Sequence, residues 1–333
     1  MTSTAFSSSI SSEKRTIILG SRASQLAQVQ TNMVVDILRS KYPTKSFSTS
    51  FMTTGGDHDQ SQALYLIGGK SLWTKELEWA LLLGGSEGRE NSKQVDMLIH
   101  CFKDVPTVLP LGCEIAGVLE REDPVDSLVV RRDLVETKSW KTLDDLDDGS
   151  VVGTSSVRRV AQLKRAFPKL KFLDVRGNLQ TRLSKLDAPF SPYTALVLAK
   201  AGLVRVGLKD RIASDIPPPT LFYAVAQGAL AIEIRSNDPE VKALCRSITD
   251  RETEWRCYAE RGLLRVLEGG CSVPVGVHTE LQQSIVEGGK EVLVITGCVT
   301  SLDGQSHIEH TLKEPTEKKV EEAKVEDEKT AKA

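Results

Sequence analysis

One local design occurs twice in this chain, and it narrows the folds open to it. Thr16-Ile17-Ile18-Leu19 has the apolar, β-branched pattern of a buried strand. Gly20-Ser21 turns the chain and Arg22 and Ser24 follow. A helical repeat then sets Leu26, Val29, Met33, Val34, Ile37 and Leu38 on one face. The second copy reads Val151-Val152, Gly153-Thr154-Ser155-Ser156 and Arg158-Arg159. Its helix carries Val157, Val160, Leu163 and Phe167 on one face, and Pro168 closes it. A strand, a tight turn and a helix start leave free N–H groups and a positive dipole end at the turn. Ser24 there reads both as a plain N-cap and as a hydroxyl facing a ligand.

Further strands are predicted at 95–99, 128–130, 171–175, 194–198, 229–234 and 291–300, and helices at 75–83 and 253–266. Glu120-Arg121-Glu122-Asp123-Pro124 and Pro217-Pro218-Pro219 read as two crossings between α/β units. Two crossings describe an α/β protein of two hinged lobes around a cleft, followed by a small C-terminal α+β unit. The expected division is an N-terminal disordered arm at 1–15, one lobe at 16–122 and 229–246, and a second lobe at 125–222. A third domain follows at 250–312, and a charged tail at 313–333, read as a solvated helix or tail. At 333 residues the chain is long enough for several cores.

Arg158, Arg159, Arg176, Arg182 and Arg205 all follow strand ends, and the reading places them at helix starts. The helix dipole disfavours cations there. Guanidinium forks match carboxylates two bonds at a time, so a polycarboxylate or phosphate ligand is implied. Net charge is only -2, so any anion site is a local concentration of Arg and Lys rather than a nucleic-acid surface. Lys103-Asp104 follows the strand at 95–99, and strand ends are where α/β sheets hold ligands. A turn cap is the plain alternative for Asp104. Gly68-Gly69-Lys70-Ser71 lacks the upstream glycine of a nucleotide phosphate loop. Lys70 remains a candidate for an anionic ligand.

Leu267-Glu268-Gly269-Gly270-Cys271-Ser272-Val273-Pro274 sets a thiol on a glycine tether beyond a helix. A buried structural cysteine is the plain alternative. Six cysteines occur without a Cys-x-x-Cys pair, which argues against a zinc or redox site and fits a reducing, cytoplasmic compartment. No metal is expected. No run is apolar enough for a membrane span, and the Ser/Thr-rich start has no apolar core of a secretory signal.

These stretches resemble those of the porphobilinogen deaminase family, also called hydroxymethylbilane synthase. The resemblance rests on Gly20-Ser21-Arg22-Ala23-Ser24-Gln25-Leu26-Ala27, Gly69-Lys70-Ser71-Leu72-Trp73-Thr74-Lys75-Glu76-Leu77-Glu78 and His100-Cys101-Phe102-Lys103-Asp104-Val105-Pro106. It extends to Gly153-Thr154-Ser155-Ser156-Val157-Arg158-Arg159, Arg176-Gly177-Asn178, Thr181-Arg182-Leu183, Gln227-Gly228 and the cysteine loop. It covers residues 16 to 310, in the family's order.

The resemblance implies two periplasmic-binding-protein-like (type II) lobes and a third domain bearing the cysteine. It also implies the stepwise condensation of four porphobilinogen molecules, with release of ammonia, to a linear hydroxymethylbilane. Cys271 then carries a covalent dipyrromethane cofactor through a thioether, and Asp104 is the catalytic carboxylate. Lys70, Lys103, Asp104, Thr154, Ser155, Ser156, Arg158, Arg159, Arg176 and Gly177 hold that cofactor. Arg22, Ser24, Gln30, Arg176, Arg182, Arg205, Gln227 and Arg261 face the substrate. The resemblance departs after His310, where Lys/Glu repeats replace the family's apolar helix. A monomer is expected, with porphobilinogen as the only partner and neither nucleic acid nor membrane. The rivals are a two-lobed binding protein for an anionic solute, which leaves Cys271 unexplained, and a cysteine hydrolase, for which none of the five histidines is a convincing partner.

Overall fold

The computed structural model describes residues 15–54, 71–83, 94–267, 274–283 and 291–316. The first lobe begins β1 (Thr16–Arg22), α1 (Gln25–Lys41), β2 (Ser46–Met52), α2 (Ser71–Leu83), β3 (Met97–Cys101) and β4 (Cys113–Val118). The chain then crosses into β5 (Asp126–Val130), α3 (Arg132–Lys138), β6 (Val151–Gly153), α4 (Val157–Ala166) and β7 (Lys171–Leu173). That lobe continues with α5 (Leu179–Leu186), β8 (Ala195–Ala199), α6 (Lys200–Arg205) and β9 (Ser214–Ile216). The return brings β10 (Leu230–Arg235) and α7 (Pro239–Ser247) to the first lobe. After them come α8 (Arg251–Val266), β11 (Val275–Gln283), β12 (Glu291–Thr300) and β13 (His307–Pro315).

The two large sheets share one plan. The first is ordered β2-β1-β3-β10-β4 and the second β7-β6-β8-β5-β9. In each, the fourth strand is antiparallel to its neighbours and is the first to arrive after a crossing. β5 thus opens the second lobe and β10 rejoins the first, which gives two type II periplasmic-binding-protein-like lobes joined by two strands of chain. The third sheet is an antiparallel meander, β11-β12-β13, with α8 beside it. Among the described residues no helix is long and apolar enough to cross a membrane.

Strands buried on both faces explain the apolar runs. Ile99, Ile232 and Ile234 pack toward α1 and α7, while Leu98 packs under Leu77 and Leu81 of α2. The crossings meet the third sheet through Glu260 of α8. Its carboxylate accepts from Arg121 at 2.6 and 3.0 Å, from the Ala226 backbone N–H at 2.6 Å and from Thr279 Oγ1 at 2.5 Å. Arg121 also lies over the Tyr223 ring, at 5.0 Å. A buried charge pair holds together only when its remaining valences are filled, as they are here.

Several expectations change. Met33 and Ile37 of α1 are exposed at 40% and 41%, and the buried stripe is Gln30, Thr31, Val34, Val35 and Leu38. In α4 the buried side chains include Arg158, Arg159 and Gln162, whereas Val157 and Val160 are only partly buried. Arg15, assigned to the arm, is tied to Asp96 and Asp238. β13 runs to Pro315, so Lys313–Pro315 is strand rather than tail.

Candidate functional site

A cleft of about 500 Å³ lies between the two lobes, within the range of roughly 300–1,000 Å³ usual for small-molecule sites. It opens at the carboxyl ends of parallel strands in both sheets. Arg22 ends β1, Thr53 follows β2, and Cys101, Lys103 and Asp104 end or follow β3. The second lobe contributes Arg159 from α4, Arg176 to Arg182 around the start of α5, and Ala199 to Arg205 along α6. Gly228 and Ala229 of the return crossing complete the wall.

Asp104 closes a single 3-10 turn, Phe102–Asp104, directly after β3. Phe102 is fully buried and Arg261 of α8 sits over its ring at 4.6 Å. Arg261 donates to the Val105 carbonyl at 3.0 Å and the Pro106 carbonyl at 2.5 Å. Arg261 is therefore a clamp behind the turn and does not reach the cleft wall. Lys103 Nζ donates to Gln227 Oε1 at 3.1 Å. Burial lowers the Lys103 pKa, and the Asp104 charge opposes that shift.

Behind this wall is Asp126, the first residue of β5 and fully buried. It accepts from Arg158 Nη2 at 2.8 Å, Arg159 Nη2 at 2.6 Å and Gln227 Nε2 at 2.9 Å. Burial pushes the Asp126 carboxyl up, but Arg158 and Arg159 outweigh it and hold it well below the ordinary carboxylate range. Asp126-Ser127 heading the apolar run Leu128-Val129-Val130 was the only sequence signal that could have found this residue. Arg158 spends its other arm on the Phe222 carbonyl, at 2.6 Å, and is not on the cleft wall. Arg159 donates to the Val197 carbonyl at 2.8 Å and is on the wall. Asp126 thus explains how two arginines occupy the first turn of a helix.

Arg182 Nε donates to the Gly177 carbonyl at 2.7 Å, where Gly177 takes a φ of +113°. Burial, then Arg159 and Arg176, lower the Arg182 pKa to about 10. Arg205 donates from Nη2 to the Gly228 carbonyl at 2.6 Å. Its Nε is buried without a hydrogen-bond partner among the described residues. Arg205 lies in the last turn of the short α6, where the dipole favours a cation, so its expected place at a helix start is corrected.

The hydroxyls go largely to local structure. Ser24 and Ser156 cap α1 and α4, accepting from Ala27 and Arg159 backbone N–H groups. Ser155 Oγ donates to the Val175 carbonyl at 2.7 Å, and Thr154 Oγ1 accepts from the Ser156 N–H at 3.3 Å. Of these, only Ser24 lines the cleft. Gln30 lines it as well and meets the Cys101 thiol at 3.2 Å. Gln227 stands behind the wall, and its Nε2 also reaches the Pro124 carbonyl at 2.7 Å. Thr53, Cys101 and Asn178 are wall residues to which the sequence assigned no role. Asn178 was legible as the cap of α5, accepting from the Thr181 N–H at 2.9 Å. Cys271 and Lys70 lie outside the described residues.

Among the described residues the cleft wall carries five arginines and one carboxylate at its inner turn, which suits a ligand rich in carboxylates. Comparison with known proteins agrees. Residues 17–243 match the family model "Porphobilinogen deaminase, dipyromethane cofactor binding domain", and residues 255–329 match "Porphobilinogen deaminase, C-terminal domain". The porphobilinogen deaminase of Yarrowia lipolytica is 47% identical over 300 residues, covering 90% of this chain and 84% of that protein. That of Saccharomyces cerevisiae is 44% identical over 294 residues, covering 88% and 86%. That of the cyanobacterium Nostoc is 46% identical over 303 residues, covering 91% and 87%. The strand plan, the arginine wall and these matches over both parts of the chain agree: it belongs to the porphobilinogen deaminase family.

Proposed function

We propose that this transferase is a hydroxymethylbilane synthase: it joins four porphobilinogen molecules head to tail, with Asp104 as its catalytic carboxylate and the cleft arginines as its carboxylate holders. The observation that carries this reading is the placement of Asp104 on a wall shared with Arg22, Arg159, Arg176, Arg182 and Arg205. The family's dipyrromethane group fits that wall. It brings two acetates and two propionates, and the orphaned, buried Nε of Arg205 is a donor that wants an acceptor. Cys271 is the proposed point of attachment. When bound, the dipyrromethane supplies the nucleophilic pyrrole end to which new units are added.

The residues of the chain do the rest. Arg176, Arg182 and Arg205 bind acetates and propionates, each charge-assisted bond contributing about 1.5–3 kcal/mol. Arg159 does the same while Asp126 fixes its geometry. Lys103 and Gln227 brace the turn that presents Asp104. Loss of ammonia from porphobilinogen leaves an electron-poor azafulvenium, and the Asp104 carboxylate holds the pyrrole N–H and stabilises that cation. Arg158, Thr154, Ser155 and Ser156 support the wall from behind, and Arg261 does so for the turn. Porphobilinogen consumption by the purified protein tests the reading, with Asp104→Asn as its control. A wild-type protein that leaves porphobilinogen untouched contradicts it. That result would favour a binding protein for an anionic solute, which the arginine wall alone also suits.

A further inference from the structure

A smaller cavity of about 80 Å³ adjoins the cleft, and Asp104 lines both. Thr74 of α2 and His100 of β3 line the smaller one only. Strand register explains this annex. Leu98 faces Glu233 and His100 faces Ala231 across β3 and β10. His100 and Glu233 are therefore diagonal neighbours on the sheet face that α2 covers. Thr74 and Glu78 are one turn apart on the same helix stripe as Leu77 and Leu81.

The result is a polar island in an apolar layer. His100 Nε2 lies 3.0 Å from Glu233 Oε2, with side-chain exposures of 5% and 0%. Among the described residues, Thr74 Oγ1, Glu78 Oε1 and Glu233 Oε1 are buried without hydrogen-bond partners. Burial raises the Glu78 pKa. Of the three, only Thr74 lines the cavity; an orphaned group carries a desolvation cost of about 1–3 kcal/mol, so its hydroxyl there calls for an explanation. With its proton on Nε2, facing Glu233, a neutral His100 keeps Nδ1 as an acceptor, and the residue lines the annex.

We propose that the annex is the subsite for the amino nitrogen that the condensation expels, an ammonium-binding pocket whose acceptors are Thr74 Oγ1, His100 Nδ1 and the Asp104 carboxylate. This rests on the condensation proposed above. In each round the C–N bond of the protonated aminomethyl group (–CH₂–NH₃⁺) breaks, its electron pair leaves on nitrogen as ammonia, and the positive charge stays on the azafulvenium. A C–C bond forms at the free α-carbon of the terminal pyrrole, and that carbon's hydrogen leaves as a proton to Asp104. Ammonia in the annex takes this proton and departs as ammonium, so one ammonium is released per pyrrole added. His100 thus touches the expelled nitrogen, and Glu233 is the positioning residue that acts through it. Cys101 and Arg22 line the annex with it, and Glu78 and Cys113 are further titratable groups near the His100–Glu233 pair.

The protein as purified is titrated with ammonium chloride against sodium chloride at equal ionic strength, and its histidine ring NMR signals are followed. With five histidines, comparison with His100→Gln assigns the relevant signal. A saturable shift of the His100 signal with ammonium alone is expected, and Thr74→Leu, which fills the annex, abolishes it. In turnover, Thr74→Leu and His100→Gln each lower kcat for porphobilinogen at least tenfold, with Glu233→Gln between them and wild type. Should His100→Gln fail to fold, Thr74→Leu carries both readouts. A His100 signal indifferent to ammonium, or wild-type kcat in Thr74→Leu, overturns the proposal while wild-type turnover still upholds the condensation. A wild type inert to porphobilinogen defeats the condensation instead, and the ammonium titration then still decides the annex.

Discussion

Replacing Asp104 by Asn keeps size and hydrogen-bonding reach but removes the charge that faces the cation. Turnover should fall by about 10²–10⁴-fold, the range of a lost acid–base group, with the melting temperature within a few degrees of wild type. Steady-state kinetics beside a thermal melt checks this. The arginines divide by what stands behind them. Arg182→Ala removes a wall cation bonded, among the described residues, to the Gly177 carbonyl. It should lower kcat/KM about 10–100-fold, corresponding to one or two charge-assisted bonds, with little loss of stability. Arg159→Ala also strips the buried Asp126 of one partner, so it should lose both activity and several degrees of melting temperature. Equal stability losses in the two variants would contradict this division. Asp104 and the wall arginines stood out in the sequence because charge beside strand ends is visible in one dimension. Asp126 did not, because its meaning depends on Arg158 and Arg159, more than thirty positions away in sequence.

At the level of elements, the strand cores were legible because runs such as Leu128-Val129-Val130 are buried on both faces. Helix faces were misread where tertiary contacts override hydropathy. α4 turns its arginines inward toward Asp126, and α1 turns Gln30 toward Cys101 and leaves Met33 outside. β2 and β13 escaped notice because Ser46–Met52 and His307–Pro315 carry mostly polar residues on solvent-facing edges. Two predictions belong here. Asp126→Asn should destabilise the protein by about 3–5 kcal/mol at neutral pH, as for other broken buried pairs. The folded Asp126 carboxyl titrates below its ordinary value of 3.8, so its stabilisation is complete above that pH and is lost as pH falls toward the folded value. Denaturant melts at several pH values should show a steeper loss below pH 4 in wild type than in Asp126→Asn; parallel curves would contradict the assignment. Gly228 holds a φ of +90°, and a Cβ there would stand 2.1 Å from the Glu122 carbonyl oxygen. Gly228→Ala should therefore separate the two crossings and cost about 3 kcal/mol or more, read by the same melts.

Across the whole molecule, the crossings act as the common floor of the cleft. Gln227 ties Lys103 of the first lobe to Asp126 of the second, and Arg121 ties the same segment to α8 through Glu260. The Asp104 turn, the arginine wall and the third sheet are thus fastened to one strip of backbone. The two-lobed plan was legible because proline-punctuated crossings divide the sequence. The order of the strands within each sheet was not, since it leaves no mark on a single sequence. The central claim is that this cleft holds a carboxylate-laden pyrrole chain anchored to the polypeptide. Intact mass of the freshly purified protein tests it most directly. The account predicts a mass above that of the polypeptide by two pyrrole units, absent from Cys271→Ser, whereas a wild-type mass equal to the bare chain would contradict it.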